Sequence, residues 1–151
     1  MRMIGCALLA MLALAAGCAP RGAAAGEAAE GGGAEPLEGT AWRLVELGGQ
    51  PARSAGNEGT PSLRLDAAQT RATGNTGCNG FGGPYELSGE SLRFGALAST
   101  RRACVDEALN QQEHAYMRAL DETRTWRIAG GTLVLSGEAG VVARFAAQPA
   151  P

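Results

Sequence analysis

A glycine-rich stretch at residues 73–84, TGNTGCNGFGGP, holds the residue types most able to do chemistry. Glycines that lead into a helix can cradle a phosphate, and a cysteine with a base beside it can act as a nucleophile. The same composition suits a tight corner fixed by a disulfide, because glycine accepts positive φ and close neighbouring chains. Each of the three chemistries needs different partners elsewhere in the chain.

Phosphate binding lacks the partners that it needs. A Walker loop requires a lysine, and all 13 basic residues of this chain are arginines. A dinucleotide-binding loop requires a helix directly after its glycines, whereas here the sequence PYEL at residues 84–87 predicts a strand or a turn. The sequence therefore argues against a phosphate loop.

The first residues indicate the compartment in which the cysteines would work. Residues 1–17 contain one arginine, an apolar run and small residues before Cys18, which is typical of a signal peptide. The stretch LALAAGC resembles a bacterial lipobox, whose cysteine receives a diacylglycerol; a plain secretory signal cleaved nearby is the alternative. We expect Cys18 to anchor the chain to a membrane of the bacterial cell envelope. Because Ala19 is not the aspartate that retains enteric lipoproteins at the inner membrane, we expect the outer membrane, facing the periplasm.

Composition then divides the exported chain in two. Residues 18–36, the lipidated cysteine and an Ala/Gly/Glu/Pro segment without large apolar side chains, predict a disordered tether. Residues 37–151 predict one globular domain with its core within 37–147, a normal size for a single core. The net charge of −2 gives no basic excess for nucleic-acid binding, and we expect a monomer.

Cys78 has two possible roles, as a reactive thiol or as one half of a disulfide. The only histidine, His114, is predicted on the polar side of a helix, where a surface histidine is the simpler interpretation. Cys6 leaves with the signal peptide and Cys18 takes the lipid, so Cys78 and Cys104 remain as an even pair in an oxidising compartment. This favours a disulfide, which would stabilise the domain by about 3.5 kcal/mol, over a reactive thiol. Two cysteines and one histidine fall short of a structural zinc site, so we expect no metal and no cofactor.

A recurring apolar–Arg–apolar triplet predicts the elements that position this corner. It occurs at Arg43, Arg64, Arg93, Arg127 and Arg144, and its period of two is typical of strands with one buried face. Turn sequences between the triplets predict seven or eight short antiparallel strands with the arginines outward. The inward residues would be Trp42, Leu44, Leu63, Leu65, Leu92, Phe94, Trp126, Ile128, Leu133, Leu135 and Phe145.

One segment, residues 106–120, breaks that period and predicts an amphipathic helix with Asp106 as N-cap. Leu109, Tyr116, Met117 and Leu120 would face the sheet. The predicted polar face holds Glu107, Asn110, Gln111, Glu113 and Arg118. The fold class is therefore α+β and mainly β, an antiparallel sheet whose apolar face is covered by one helix.

Five stretches, together with the predicted helix that carries Glu113, resemble the META domain of HslJ-like bacterial lipoproteins. They are LEGTAWRLVEL, TGNTGCNGFGGPYEL, LRFGALASTRRAC, TWRIAGGTLVL and VVARF, and they cover the whole globular part. The resemblance implies strands curled around one helix as a cracked barrel, and an envelope lipoprotein linked to stress tolerance without established catalysis. It also implies a structural similarity to a type III secretion pilotin that binds lipid in its cracked barrel.

Three functions follow as hypotheses. The first is a non-enzymatic envelope module that binds or stabilises an unknown envelope protein. The second is a carrier that holds an acyl chain or a hydrophobic peptide between helix and sheet, where Ala108, Ala115 and Ala119 would leave room. The third, a hydrolase using Cys78 or Ser99, has the least support because no nucleophile, base and orienting group assemble in the sequence.

Overall fold

The computed structural model describes residues 35–54, 59–104 and 106–148, which form ten strands and one helix. The predicted signal peptide, Cys18 and most of the predicted tether lie outside these residues. The strands are β1 (Trp42–Leu47), β2 (Gln50–Pro51), β3 (Ser62–Asp66), β4 (Arg71–Asn75), β5 (Gly80–Ser88), β6 (Ser91–Phe94), β7 (Ala98–Ser99), β8 (Thr125–Ala129), β9 (Thr132–Gly137) and β10 (Gly140–Ala147), and the helix α1 is Glu107–Asp121.

All strands belong to one antiparallel sheet that curls into an uneven ring. The order is β10-β9-β8-β6-β5-β4-β3-β1-β2, with β7 on β5, and a pairing between β1 and β10 closes the ring. Strands β6 and β8 share a single residue pair, Ser91 with Thr125, so the ring is weakly joined there. This confirms the predicted sheet curled against one helix. No helix in the described ranges is long and apolar enough to cross a membrane.

The alternation of the triplets places the core as predicted. Trp42, Leu65 and Phe145 are fully buried inside the ring, while Arg43, Arg64, Arg93 and Arg127 are exposed on its outside. The fifth arginine, Arg144, is half-buried and pairs with Glu46 at 3.1 Å across the β1–β10 junction. Trp126 and Ile128 are only half-buried, because β8 lies beside the weak junction of the ring.

Helix α1 begins where the sequence predicts. The Asp106 carboxylate accepts a hydrogen bond from the Ala108 N–H at 2.8 Å, which satisfies one free donor of the first turn. Tyr116 lies at the centre of the core. Its ring packs edge-to-face on Phe81 with centroids 5.7 Å apart, and its hydroxyl donates to the Ser62 carbonyl at 3.1 Å. The helix therefore closes the ring with its buried face.

Three details of the structure differ from the sequence predictions. The structure has ten strands rather than seven or eight; the additional ones, β2 and β7, have two residues each and are too short for a visible period. Met117 packs against the core as predicted but is only half-buried, because on a helix of 100° per residue it lies about 60° to one side of Leu120. Leu109 is buried, but it packs with the two cysteines in a separate small cluster and not in the main core against the sheet.

Candidate functional site

Residues 76–79, which we call the cysteine corner, connect β4 to β5. Gly77 has a φ of +106°, a conformation that side-chain-bearing residues rarely adopt. The Thr76 N–H donates to the Asn79 carbonyl at 2.8 Å, and the Thr76 hydroxyl oxygen lies 3.1 Å from the same carbonyl. The Asn79 N–H donates in return to the Thr76 hydroxyl at 3.0 Å. The glycine-rich stretch is thus a hydrogen-bonded corner between two strands, and its backbone conformation explains the glycine.

A disulfide between Cys78 and Cys104 ties this corner to the segment before α1. The two Cα atoms are 5.8 Å apart, and the cysteines lie 26 positions apart along the chain. Both side chains are buried and pack on Leu109. In this form Cys78 has no free thiol with which to act as a nucleophile.

The side-chain amide of Asn79 also joins the cysteine corner to the segment before α1, through Thr100 and Arg102. Its oxygen accepts from the Arg102 N–H and the Thr100 hydroxyl, both at 2.9 Å, and its nitrogen donates to the Arg102 carbonyl at 3.0 Å. The amide therefore pairs with Arg102 much as a neighbouring strand would. Asn79 is only 2% exposed, so these bonds form away from bulk water. The Arg102 guanidinium also donates to the Cys78 carbonyl.

Glu113 on α1, predicted on the polar face of the helix, also belongs to the hydrogen-bond network around Asn79. Its carboxylate accepts from the Asn79 amide at 2.8 Å and from the Thr76 hydroxyl at 3.1 Å. The same oxygen lies 3.8 Å from the sulfur of Cys104. A signal for this was present, because Glu113 follows Leu109 by four residues and precedes Tyr116 by three, on the buried stripe.

A polar pocket of about 470 Å³ opens beside the network. Ser99 and His114 both border it, but no hydrogen bond joins them in the part of the chain that the structure describes. His114 is exposed, in agreement with a surface histidine, and Ser99 is half-buried on the short strand β7. The pocket wall consists of Asn79, Ser99, Arg101, Arg102, Ala103, Asn110, Glu113, His114 and Met117.

Only one group of described residues has three possible metal ligands close together. The sulfurs of Cys78 and Cys104 and a carboxylate oxygen of Glu113 all lie within 4.8 Å of one another. Metals bind thiolates, and a disulfide sulfur is not one. The oxidised corner consequently lacks the ligand set of a structural zinc site.

A second concave surface, which we call the flank groove, runs between α1 and the β1–β2 and β10 edges. It encloses about 460 Å³. The predicted small residues Ala108, Ala115 and Ala119 line its helical side. Its remaining lining is Leu47, Gly48, Gln50, Pro51, Arg53, Gln111, Gln112, Arg118, Glu122, Val141 and Val142. The space that the alanines leave therefore lies beside the core, on the outer flank of the helix.

At one end of the flank groove, the Gln112 side-chain amide bonds to the backbone of Arg53 in the pattern of a neighbouring strand. The Gln112 amide oxygen accepts from the Arg53 N–H at 2.6 Å, and the amide nitrogen donates to the Arg53 carbonyl at 2.9 Å. Helix and β2 edge are thereby held at a fixed separation. Val141, exposed to 39%, is the one large apolar residue among those described that lies this open.

Both tyrosines of the chain titrate far from their ordinary range. Burial, and then the hydrogen bond to the neighbouring Glu38 carboxylate, raise the pKa of Tyr85 strongly. Burial in the core raises the pKa of Tyr116 well above its ordinary value. Neither tyrosine borders the polar pocket or the flank groove, so the raised pKa values affect the pH dependence of folding and not either concave surface.

The architecture defines a class: a small domain in which an antiparallel ring is closed by one helix and a disulfide-linked corner. The META domain family profile matches residues 35–150, and the chain belongs to this family, as the sequence resemblance predicts. A search of the curated proteins gave no significant match.

Three solved structures share the fold. A protein from Burkholderia xenovorans solved by NMR is 30% identical, with a TM-score of 0.59 over 76% of this chain and 85% of its own. A second protein solved by NMR is 23% identical, with a TM-score of 0.58 over 72% and 90% of the two chains. A crystal structure of a DUF4847 family protein from Bacteroides vulgatus is 15% identical, with a TM-score of 0.51 over 78% and 98%.

Proposed function

We propose that this META domain protein is a non-enzymatic lipoprotein of the bacterial cell envelope, held at a membrane through Cys18, whose domain acts as a binding module. The lipobox-like stretch LALAAGC supports the anchor. The flank groove is the observation on which the binding role depends, because it is a concave, largely apolar surface outside a well-filled core.

The residues that could do chemistry have structural partners instead. Cys78 is in a disulfide, and Glu113 binds Asn79 and Thr76. General acid–base catalysis needs a base within hydrogen-bonding reach of the group that it activates. His114 makes no such bond to Ser99 among the described residues. We therefore assign the corner to structure and the groove to binding.

The anchor is tested by membrane fractionation. Cys18→Ser should move the protein from the membrane to the soluble periplasmic fraction, and mass spectrometry of the wild-type N-terminal peptide should find acyl chains. Cys6→Ser is the matched control, since it removes a cysteine from the same leader and should leave the protein on the membrane. Membrane association of the Cys18→Ser protein would contradict the anchor.

The side chains that line the flank groove favour one class of ligand, an acyl chain with an acidic head group. The apolar lining at Leu47, Val142 and Ala115 can cover the chain. Arg53 and Arg118 outnumber Glu122 at the same surface, which favours an anionic head group. The sequence hypothesis put such a ligand between helix and sheet; Tyr116 fills that interface, so the groove on the flank replaces it.

A fluorescent long-chain fatty acid tests this ligand class. We expect it to bind the purified protein and to be displaced by unlabelled fatty acid. Ala115→Phe should fill the groove and weaken binding about tenfold or more, because the added ring occupies the space of several methylenes. Ala129→Phe, an equal change at an exposed position of β8, is the control. Equal affinities for the two variants would exclude the groove as the binding site.

A further inference from the structure

We propose that the cysteine corner becomes a metal site when its disulfide is reduced, with Cys78, Cys104 and Glu113 as the protein ligands of one zinc ion. The three ligand atoms already lie within 4.8 Å of one another in the oxidised form. The site would keep the corner attached to the segment before α1 while the covalent link is open.

The positions of the ligands suit a tetrahedral ion. Two thiolates bound to one zinc at about 2.3 Å lie roughly 3.8 Å apart, so after reduction the sulfurs must move apart by about 1.7 Å from the usual disulfide bond length. The cysteine Cα atoms, 5.8 Å apart, lie on separate segments whose side chains already converge. The Glu113 oxygen is 3.8 Å from the Cys104 sulfur, which matches the spacing of neighbouring ligands around such an ion.

The surroundings already provide the second layer of a metal site. Ligating carboxylates in metal sites are themselves hydrogen-bonded, and Glu113 accepts from Thr76 and Asn79. The Asn79 amide nitrogen, which donates to Glu113 and to the Arg102 carbonyl, lies 3.7 Å from the Cys78 sulfur and so borders the proposed site. These bonds hold the carboxylate in place before any ion arrives.

The polar pocket supplies an entry path and the fourth ligand. Asn79 and Glu113 form part of its wall, so an ion and one water molecule can reach the carboxylate from solvent. His114 borders the pocket, but its nitrogens are not among the atoms grouped within 4.8 Å. We therefore assign three protein ligands and one water.

The conversion balances with a phosphine as the reductant. The phosphine attacks the disulfide, takes an oxygen from water to become a phosphine oxide, and leaves two thiols in place of the S–S bond. Zinc then binds both sulfurs, and two protons leave for solvent because only thiolates coordinate. Dissolved oxygen reverses the conversion: it takes two electrons from the two thiolates and two protons from solvent to give hydrogen peroxide, the S–S bond forms again, and the ion is released.

Cobalt(II) is the probe, because thiolate coordination gives it a charge-transfer absorption in the near ultraviolet. We expect the phosphine-reduced protein to bind one cobalt ion per chain, the air-oxidised protein to bind none, and one equivalent of zinc to displace the cobalt. Absence of the thiolate absorption from the reduced protein would overturn the proposal.

Two variants on the same helix test the third ligand. Glu113→Gln should weaken cobalt binding by about tenfold or more, whereas Glu107→Gln, an exposed first-turn residue, should leave it unchanged. Equal affinities would remove Glu113 from the site and overturn the assignment. Because reduction lowers stability, thermal melts run in parallel: zinc should raise the melting temperature of the reduced wild type and not of the oxidised protein. A reduced chain whose melting zinc does not change would also refute the proposal.

Discussion

The two buried tyrosines predict how the domain should respond to alkaline pH. Tyr85 and Tyr116 keep their protons in the folded state at pH values where unfolded tyrosines, with a pKa of about 10, lose theirs. Above that pH the unfolded chain binds fewer protons than the folded chain, so the free energy of unfolding falls as the pH rises. This contribution is fully present below pH 10 or so and is lost above it.

The pH dependence of the free energy of unfolding follows from the number of tyrosines that titrate only in the unfolded chain. Each tyrosine contributes about 1.36 kcal/mol per pH unit, so two of them give a slope of about 2.7 kcal/mol per unit above pH 10. A domain with about 5 kcal/mol of stability would then unfold near pH 12. The absence of lysine makes the test clean, because no amine side chain titrates in the same range.

The assay follows tyrosinate absorbance and far-ultraviolet circular dichroism in one alkaline titration. We expect both tyrosines to ionise together with the loss of strand signal. Tyr85→Phe, which keeps the ring and removes the ionising group, should halve the slope to about 1.4 kcal/mol per pH unit. Ionisation of one tyrosine near pH 10 in a protein that retains its native dichroism would refute the reasoning.

Three further predictions concern the helix and the cysteine corner and are measured by denaturant unfolding. Tyr116→Ala should cost about 3–5 kcal/mol, whereas Met117→Ala should cost less than about 2, because only Tyr116 is fully buried; equal losses would contradict the observed orientation of α1. Asn79→Ala should cost about 1–3 kcal/mol, since it leaves the backbone of Arg102 without partners; a neutral change would show that water replaces the amide. Cys104→Ala should cost about 2–5 kcal/mol, and non-reducing peptide mapping of the wild type should join this cysteine to residue 78.

The sequence predicted most of the sheet and of the helix because both depend on local periodicity. Alternation around the five arginines placed the long strands, and Asp106 marked the start of α1. The closing contact between β1 and β10 joins residues about a hundred positions apart, for example Leu44 and Phe145. No local pattern encodes such a pairing, so the family resemblance and not the periodicity predicted the barrel-like form.

The candidate site was harder to predict, since its members meet only through the fold. Asn79, Arg102 and Glu113 are separated by 11 to 34 residues, and their partners are side-chain amides and backbone groups. A charged residue on the buried stripe of a helix indicates a hidden partner, but it does not say which one. The flank groove likewise depends on β2, whose two residues leave no readable pattern.

Gly74 gives the most direct test of the close packing around the glycine-rich stretch. A Cβ at this position would overlap the Ser62 carbonyl oxygen and lie 2.7 Å from a ring carbon of Phe81. Since Phe81 packs on Tyr116, the added methyl group would push an aromatic ring into the centre of the core. Gly74→Ala should therefore cost about 1–3 kcal/mol, as overpacked cores do.

Gly80 offers the matched control at the start of the next strand. Its nearest neighbour to an added Cβ is the Gly74 carbonyl oxygen at 3.8 Å, an ordinary contact, and its φ is not in the positive range. Gly80→Ala should be neutral or should stabilise the domain by about 0.4–1 kcal/mol, because alanine restricts the unfolded chain. Equal effects at the two positions would mean that backbone freedom, and not the space between β3, β4 and β5, is what requires glycine at residue 74.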